Sequence, residues 1–562
     1  MTPFFREVYQ LAAPYWRSQE RWQARLLLAL VIGMNLGIVY ITVQLNKWNN
    51  DFYNALQAVD RQAFFHALIK FSWLAGSYIV LAVYRQYLNQ MLQIRWRRWM
   101  SVRYIHDWLT RERYYRMQLT DQGVDNPDQR ISEDIQQFIA LSLNLTIGML
   151  DAVVTLCSFV VILWSLSGEL TVPLGDSFVT VPGYMVWAAA LYAAAGTWIM
   201  LKLGRPLIRL NFEQQRKEAN LRFGLVRLRE NSESIAFYRG ETQEEAGLTL
   251  RLNAVVDNFW RIMRRQKLLN WYTSGYSQIA VIFPFLVAAP RFFAKQIQLG
   301  GLMQTVSAFG RVHDALSYII DAYNSIATWK AVVDRLSGFR DKMETVTTQA
   351  DAEGPQRVAG GEDALRVEDL TVRLPHGATL IQHLNLELPS GGSLLIAGPS
   401  GAGKSTLLRT LAGLWPYAEG RIILSEEARV MFIPQRTYLP LGPLRDAICY
   451  PQRVAEVSHD ALTETLRACG LAHLEERLEE EGNWSQALSL GEQQRIAFAR
   501  LLLLAPTHAF LDEASAALDE EMEARLYALV KSRLPRMTLI SVGHRSTLTQ
   551  WHTQLMQLRG AI

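Results

Sequence analysis

The sequence predicts two joined fold classes: a polytopic α-helical membrane domain of six spans, then an α/β phosphate-loop domain. Three observations carry this. Apolar runs long enough to cross a membrane recur through the first three-fifths of the chain. A strand, a glycine-rich loop and a helix follow one another between Ser393 and Leu414. Between the two halves lies Thr347 to Gly361, small, polar and bearing Gly and Pro, as linkers do. The domains read as 1–346 for the membrane domain with its cytoplasmic extensions, 347–361 for the linker and 362–562 for the phosphate-binding domain.

Composition agrees. Half of the 562 residues are hydrophobic and sixteen are Trp. Mean hydropathy sits just above zero, high for a soluble protein but low for a pure permease. The net charge of +4 is modest and gives no ground for a nucleic-acid partner. Cys157, Cys449 and Cys469 have neither the number nor the spacing of a disulfide framework or a zinc site.

The spans come first. A crossing helix needs about 20 mostly apolar residues. Leu26 to Val43, Phe64 to Val83, Ile139 to Leu166, Tyr184 to Leu203 and Ser277 to Phe293 qualify, and a charge-bearing sixth runs from Leu302 to Ala327. Each could be a buried core helix, but their length and clustering favour lipid. Arg6, Arg17, Arg21 and Arg25 precede the first span. Arg85, Arg95, Arg97, Arg98 and Arg103 follow the second, Lys202, Arg205 and Arg209 the fourth, and Lys330, Arg335 and Arg340 the sixth. The positive-inside rule makes these segments, and with them both termini, cytoplasmic. The loop Ser167 to Pro182 has no Lys or Arg and reads as a small outer hairpin. The first span reads as an anchor that is kept, because Arg17, Arg21 and Arg25 delay the apolar run.

The sixth span carries a polar stripe. Ser307, Arg311, Asp314, Tyr318, Asp321 and Ser325 recur at helical spacing on one face, with Phe309, Val312 and Leu316 on the others. Charges inside a span face a bundle interior or a wet cavity. Two readings stand side by side: a water-filled pathway for a hydrophilic solute, or internal pairing of Arg311 with Asp314 one turn away. His313 lies off the stripe and reads as structural.

The second half carries the chemistry. Gly398-Pro399-Ser400-Gly401-Ala402-Gly403-Lys404-Ser405-Thr406 fits G-x-x-x-x-G-K-[ST]. The glycines let consecutive N–H groups turn onto phosphate oxygens, Lys404 offers a cation to the β- and γ-phosphates, and Ser405 offers a hydroxyl to Mg2+. ATP and Mg2+ are the expected ligands. Ser489 and Gly491 open a helix that stops at Ala505-Pro506, and such an end can hold an anion. Alone, that serine would read as an ordinary cap. The apolar strand HAFLDE ends in Asp512, a metal partner, and Glu513, a base for the attacking water. Gln435 follows the strand VMFIP, and His544 follows TLISVG.

In this order the motifs resemble those of the ATP-binding cassette superfamily. Leu488 to Glu492 resembles its LSGGQ signature, with Leu490 in place of a glycine and Glu492 in place of the glutamine. The resemblance implies that Gln435 senses the γ-phosphate beside Mg2+, that His544 bonds the γ-phosphate and Glu513, and that Ala516 to Asp519 crosses a dimer interface. The family's adenine-stacking aromatic is missing: Leu374 stands in its place with His376 nearby, so base selectivity is expected to be loose. One loop and one signature per chain imply that two chains complete the sites. A C2 homodimer through both halves is the simplest closure and a hetero-partner the alternative.

QLNKWNNDFYNALQ, NPDQRISEDI and LRENSESIAFYRGE resemble the BacA/SbmA-type inner-membrane permeases. GLWP, MFIPQRTYLPLGPLRD and LSLGEQQRIAFARLLL resemble the ATPase of the peroxisomal fatty-acyl transporter subfamily. Bacterial half-transporters of the YddA type fuse two such halves and are similar nearly throughout. The resemblance implies an exporter-like fold in a bacterial inner membrane, with lipid and a transported solute as partners. It makes the excursions Arg85 to Gln137 and Lys202 to Tyr276 helical extensions, with coupling turns at Asn126 to Asp134 and near Asn211 to Arg229. It also implies uptake of bulky hydrophilic solutes or peptides. Export of lipid or drug and transport of an acyl thioester stay open. So does an ATP-gated channel or regulatory subunit, against which intact Glu513 and His544 argue.

Overall fold

The computed structural model describes residues 3–120, 126–174, 177–360, 364–453 and 456–558. The chain forms two compact units, Met1–Ile105 with Asn126–Phe339, and His106–Asp125 with Arg340–Ile562.

The first unit is helical, as a lipid solvent requires of a backbone that must satisfy its own hydrogen bonds. Its helices begin with α1 (Pro3–Trp16), α2 (Arg21–Gln57) and α3 (Arg61–Leu109). After α4 (Arg113–Thr120), which belongs to the second unit, come α5 (Pro127–Gln129), a π turn over Arg130–Asp134, and α6 (Ile135–Ser167). The strands β1 (Glu169–Leu174) and β2 (Ser177–Pro182) pair antiparallel, which is the expected hairpin; Gly175 and Asp176 lie outside the described residues. Then follow α7 (Tyr184–Glu230), α8 (Ser232–Tyr238), α9 (Glu241–Phe293), α10 (Leu299–Asp321) and α11 (Tyr323–Glu353).

Among the described residues, five helices are long and apolar enough to cross a membrane, those carrying α2, α3, α6, α7 and α9. Each holds one of the first five expected spans. The sixth, Leu302 to Ala327, does not qualify by composition. It is α10 followed by α11 with a break at Ala322, and its stripe of charges is what lowers its apolarity. It is an inner helix all the same. It packs against α2, α6, α7 and α9, with Ala308, Phe309 and Val312 fully buried. Exposed Trp73, Ile79 and Val83 on α3 are what a lipid-facing helix presents.

An asparagine ladder fixes α10 on α2. Asn46 Nδ2 donates to the Gln304 carbonyl (3.1 Å) and Asn50 Nδ2 to Gln304 Oε1 (2.7 Å). The Gly300 N–H donates to Asn54 Oδ1 (2.9 Å). Any side chain at Gly300 would run into the Asn50 carbonyl. This explains the polar run QLNKWNNDFYNALQ: its amides serve the first turn of α10.

Both extensions are helical, and the second expected turn is not where the sequence suggests. Asn211 to Arg229 lies inside the unbroken helix α7, and the short element between α7 and α9 is α8, with Phe237 and Tyr238 exposed. Asn126 to Asp134 is the start of the third span and belongs to the membrane unit; the short helix of that excursion grouped with the second unit is α4. The stretch read as a linker is also ordered: α11 runs through Glu353, and β3 (Gln356–Gly360) follows, while Gly361 lies outside the described residues. The reason is an apolar stripe that carries the helix onward, Val333, Leu336, Phe339, Met343 and Val346, all buried.

The second unit contains β4 (Leu365–Arg373), β5 (Thr379–Leu388), β6 (Ser393–Ala397), α12 (Lys404–Ala412), β7 (Ala418–Ser425) and β8 (Val430–Ile433). A helical part follows: the ribbon β9 (Gly442–Pro443) and β10 (Glu481–Gly482), with α13 (Leu444–Cys449), α14 (His459–Ala468), α15 (Trp484–Ala487) and α16 (Leu490–Leu504). β11 (His508–Asp512), α17 (Glu520–Arg533), β12 (Thr538–Val542) and β13 (Gln554–Gln557) complete it. Five strands form a parallel sheet in the order β13-β6-β12-β11-β8, and four form a second sheet, β3-β7-β4-β5. Leu394, Ile396, Leu407, Leu411, Phe510 and Ile540 fill one core, and Trp484, Ile496, Phe498 and Tyr527 another.

Candidate functional site

Open parallel sheets put ligands at the carboxyl ends of their strands. Here four neighbouring strands, β6, β12, β11 and β8, end in the phosphate loop, His544, Asp512-Glu513 and the Gln435 turn. Adjacency in the sheet gathers residues that are more than a hundred positions apart in sequence.

The phosphate loop needs its glycines. Gly398, Gly401 and Gly403 adopt φ of 150, 81 and 86°, a region that strains any residue with a β-carbon. Lys404 is only 6% exposed, and its Nζ donates to the Gly398 carbonyl (2.8 Å) and the Pro399 carbonyl (2.9 Å). An ammonium has three donors, so two hold the loop closed and one is left for a phosphate oxygen. Pro399, Ser400 and buried Ala402 complete the loop, and Thr406 lies in the first turn of α12.

Ser405 Oγ donates to Asp512 Oδ1 at 2.8 Å. Burial pushes the Asp512 carboxyl above its ordinary value, against the opposing pull of the Ser405 hydrogen bond, Arg409 and Lys404. Two hard oxygens held together at such a point fit Mg2+, which takes one or two protein oxygens and completes its shell with phosphates and water.

Glu513 is the focus. Its Oε2 accepts from Gln435 Nε2 (2.8 Å), and its Oε1 lies 3.3 Å from His544 Nε2. Its backbone stands at φ 50°, a left-handed position that costs a non-glycine residue about 1–3 kcal/mol. Its N–H donates to the Val542 carbonyl of the next strand (3.1 Å), which holds that turn in place.

Ser489 and Gly491 are not part of this group. Ser489 caps α16 in a reciprocal box with Glu492: Glu492 Oε2 accepts from Ser489 Oγ (2.7 Å) and from Ser489 N–H (2.9 Å). His473 Nε2 lies 2.7 Å from Glu492 Oε1. Burial would raise the Glu492 carboxyl, but the Ser489 and His473 contacts outweigh it and leave it below its ordinary value. Among the described residues, neither Ser489 nor Gly491 shares a hydrogen bond with the phosphate loop.

Several contributors escaped the sequence. Glu523, 1% exposed, accepts from Ser515 Oγ (2.6 Å) and Thr547 Oγ1 (2.7 Å). Arg545 donates to the Leu518 carbonyl (2.7 Å), and Gln494 Oε1 accepts from the Ala517 N–H (2.9 Å). Together they fix the loop after Glu513; nothing marks a glutamate inside a charged helix as buried. Leu380 lies within contact of where a Gly403 β-carbon would stand, which adds an apolar side chain at the phosphate loop in the same hairpin as Leu374. Leu119 of α4 packs on the core of this unit, and Arg113 Nε donates to Thr347 Oγ1 (2.9 Å).

In the membrane unit Arg311, Asp314 and Asp321 are exposed, while Ser307 and Tyr318 are half-buried. Asp314 meets His313 Nδ1 (3.3 Å) rather than Arg311, and His313 Nε2 meets Tyr276 OH on α9 (2.9 Å), so His313 ties the stripe to its neighbour. Tyr318 OH donates to the Leu145 carbonyl of α6 (3.1 Å). Three further polar residues meet across helices: fully buried Asn35 donates to Asp151 Oδ1 (3.2 Å) and accepts from Arg85 (2.6 Å).

Known proteins place this arrangement. The family description "ABC transporter transmembrane region 2" matches residues 11–293, and "ABC transporter" matches residues 381–516. An uncharacterised ABC transporter ATP-binding protein of Haemophilus influenzae is 40% identical over 99% of this chain and 93% of its own length. The inner membrane ABC transporter ATP-binding protein YddA of Escherichia coli is 35% identical over 95% of this chain and 94% of its own. A solved bacterial Atm1-family ABC exporter with ATP bound has the same fold, with a TM-score of 0.74 at 19% identity over 96% of this chain and 95% of its own. The chain belongs to the ABC transporter family, as a multi-pass membrane half fused to an ATPase half. It uses ATP with Mg2+ and couples ATP hydrolysis to transport.

Proposed function

We propose that this chain works as a homodimer in a bacterial inner membrane, with its ATPase cytoplasmic, and takes up bulky hydrophilic solutes or peptides. The observation that carries the solute class is the open polar face of α10. Arg311, Asp314 and Asp321 are exposed on a helix whose other faces are buried, which suits a wet path and not a greasy one. Inward direction rests on the resemblance to the uptake permeases. The homodimer rests on there being one phosphate loop and one signature per chain.

The residues divide the work. Lys404 keeps one N–H for phosphate while two close its loop. Ser405 and Asp512, with Gln435, would hold Mg2+, which would neutralise charge on the phosphates. Glu513 accepts the proton of the attacking water, and His544 and Gln435 keep both its oxygens aimed. Ser489 and Gly491 serve the phosphate loop of the second copy.

The test uses proteoliposomes with the ATPase outward, preloaded with a labelled hydrophilic peptide. Loss of label that needs MgATP and is abolished by Glu513→Gln supports uptake. ATP-driven accumulation from outside means export and sinks the uptake reading. Leakage unchanged in the variant would indicate a gated channel.

A further inference from the structure

We propose that Asp134 is a positioning residue for coupling: a buried carboxylate that locks the cytoplasmic start of α6 to α11, so that movement of α11 is delivered to the helix flanking the polar face of α10. This rests on the reading of the chain as an ATP-driven transporter.

Asp134 is 2% exposed. Its Oδ2 accepts from Arg130 (2.5 Å) and from Arg335 Nε (2.9 Å), and its Oδ1 accepts from Arg335 Nη2 (2.6 Å). Arg335 thus binds both oxygens with one planar fork, a geometry that admits a single register. The turn just before it is also tied, since Arg97 of α3 donates to the Ser132 carbonyl (3.1 Å). The same pair of antiparallel helices is bonded again higher up. Trp329 Nε1 of α11 donates to Ser142 Oγ (2.8 Å), and Tyr318 OH of α10 donates to the Leu145 carbonyl (3.1 Å). Gly148 leaves the room that the Tyr318 ring takes.

A buried ion pair is poor glue, because desolvation offsets most of its attraction and apolar residues would hold the helices as well. What the fork adds is register. α11 runs unbroken from Tyr323 to Glu353 and leads directly into β3 of the ATPase unit. α6 carries Asp151 and receives Tyr318. A rigid pin between α6 and α11 gives a displacement of the connecting helix one defined effect on the path. With the pin loosened, α11 can slide without carrying α6.

The test uses the full chain in nanodiscs. Cys449 and Cys469 are buried and Cys157 lies within the apolar span of α6, so a Gln137→Cys substitution at an exposed position near the start of α6, made together with Cys157→Ser, carries an environment-sensitive maleimide dye. Dye signal and phosphate release are followed on adding MgATP, then vanadate. The wild type should show a nucleotide-dependent shift that Glu513→Gln prevents from cycling. Asp134→Asn should keep hydrolysis within about threefold of wild type and reduce the dye shift at least about fivefold. Arg335→Lys, which keeps the charge and loses the fork, should give an intermediate shift, and Asp134→Glu should restore most of it. A full shift in Asp134→Asn overturns the proposal. So does a parallel loss of hydrolysis, dye shift and thermal stability, which would make the cluster merely structural. If Asp134→Asn does not fold, Arg335→Lys decides, and a wild-type shift in it overturns the proposal. A wild type that hydrolyses ATP with no shift at all would mean that α6 does not move with nucleotide and overturns the pin, whereas loss of ATP-driven label transport in proteoliposomes is what would sink the transporter reading.

Discussion

The two units carry their function in opposite ways. In the ATPase unit the ends of four neighbouring strands hold two bonded groups, Ser405 with Asp512 and Glu513 with Gln435 and His544, beside the buried Lys404 that closes the phosphate loop. In the membrane unit the polar groups are spread along helix faces and crossings, and the charged ones of the α10 stripe are exposed. Hydrolysis needs reacting groups held to a fraction of an ångström. A path for a hydrophilic solute needs only a wet face. The first demand concentrates function in short motifs with special backbones; the second dilutes it over many replaceable positions. The ATPase unit should therefore fail sharply on single changes and the membrane unit gradually.

Four changes would break or sharpen that contrast. Glu513→Gln should lower the rate of phosphate release about 10²–10⁴-fold while MgATP still binds; a residual rate above a tenth of wild type would show that Glu513 is not the base. Gly300→Ala drives a methyl into the Asn50 carbonyl and should cost the membrane unit about 1–3 kcal/mol, read as a lower Tm in detergent. An unchanged melt would mean that α2 and α10 are not held by the asparagine ladder. Leu374→Tyr supplies an aromatic beside the phosphate-loop hairpin and should gain about 0.5–1.5 kcal/mol of stacking, lowering the KM for ATP and widening its preference over GTP. Equal KM values in both proteins would mean that adenine does not reach this hairpin.

The smallest effect concerns pH. Burial in the folded chain raises the Asp512 carboxyl above its ordinary value, so folding favours its neutral form. Its contribution to stability is full below the ordinary carboxylate range and is lost as pH rises through the raised folded value. Asp512→Asn should therefore raise the nucleotide-free Tm of the ATPase unit at neutral pH by about 2–4 °C and remove the stabilisation by Mg2+ with nucleotide. A fall in the nucleotide-free Tm would mean that the Ser405 hydrogen bond outweighs the cost of burying the charge.

Residues contiguous in sequence announced themselves. The phosphate loop, the Asp512-Glu513 strand end and five spans needed no tertiary information, because a turn with left-handed glycines, a buried strand and a lipid-crossing helix each leave a local pattern. The sixth span was legible only as a polar stripe, since the charges that give it interest also lower its apolarity. The second expected turn, Asn211 to Arg229, is absent because α7 runs on to Glu230, and a turn within a charged helical stretch has no compositional edge. The ordered 347–360 stretch was hidden by its polar composition, although the buried stripe through Val346 continues the helix into it.

By itself, then, the sequence determined the order of the halves and the ligands ATP and Mg2+, because these depend on residue types at fixed short spacings. Only the tertiary structure decided that Gln435 shares Glu513 with His544, that Glu523 fastens the loop beyond it, and that Asp134 meets Arg335 across 201 positions. Those partners are joined by strand order and helix crossing, and long-range contacts of that kind leave no mark on either segment read alone.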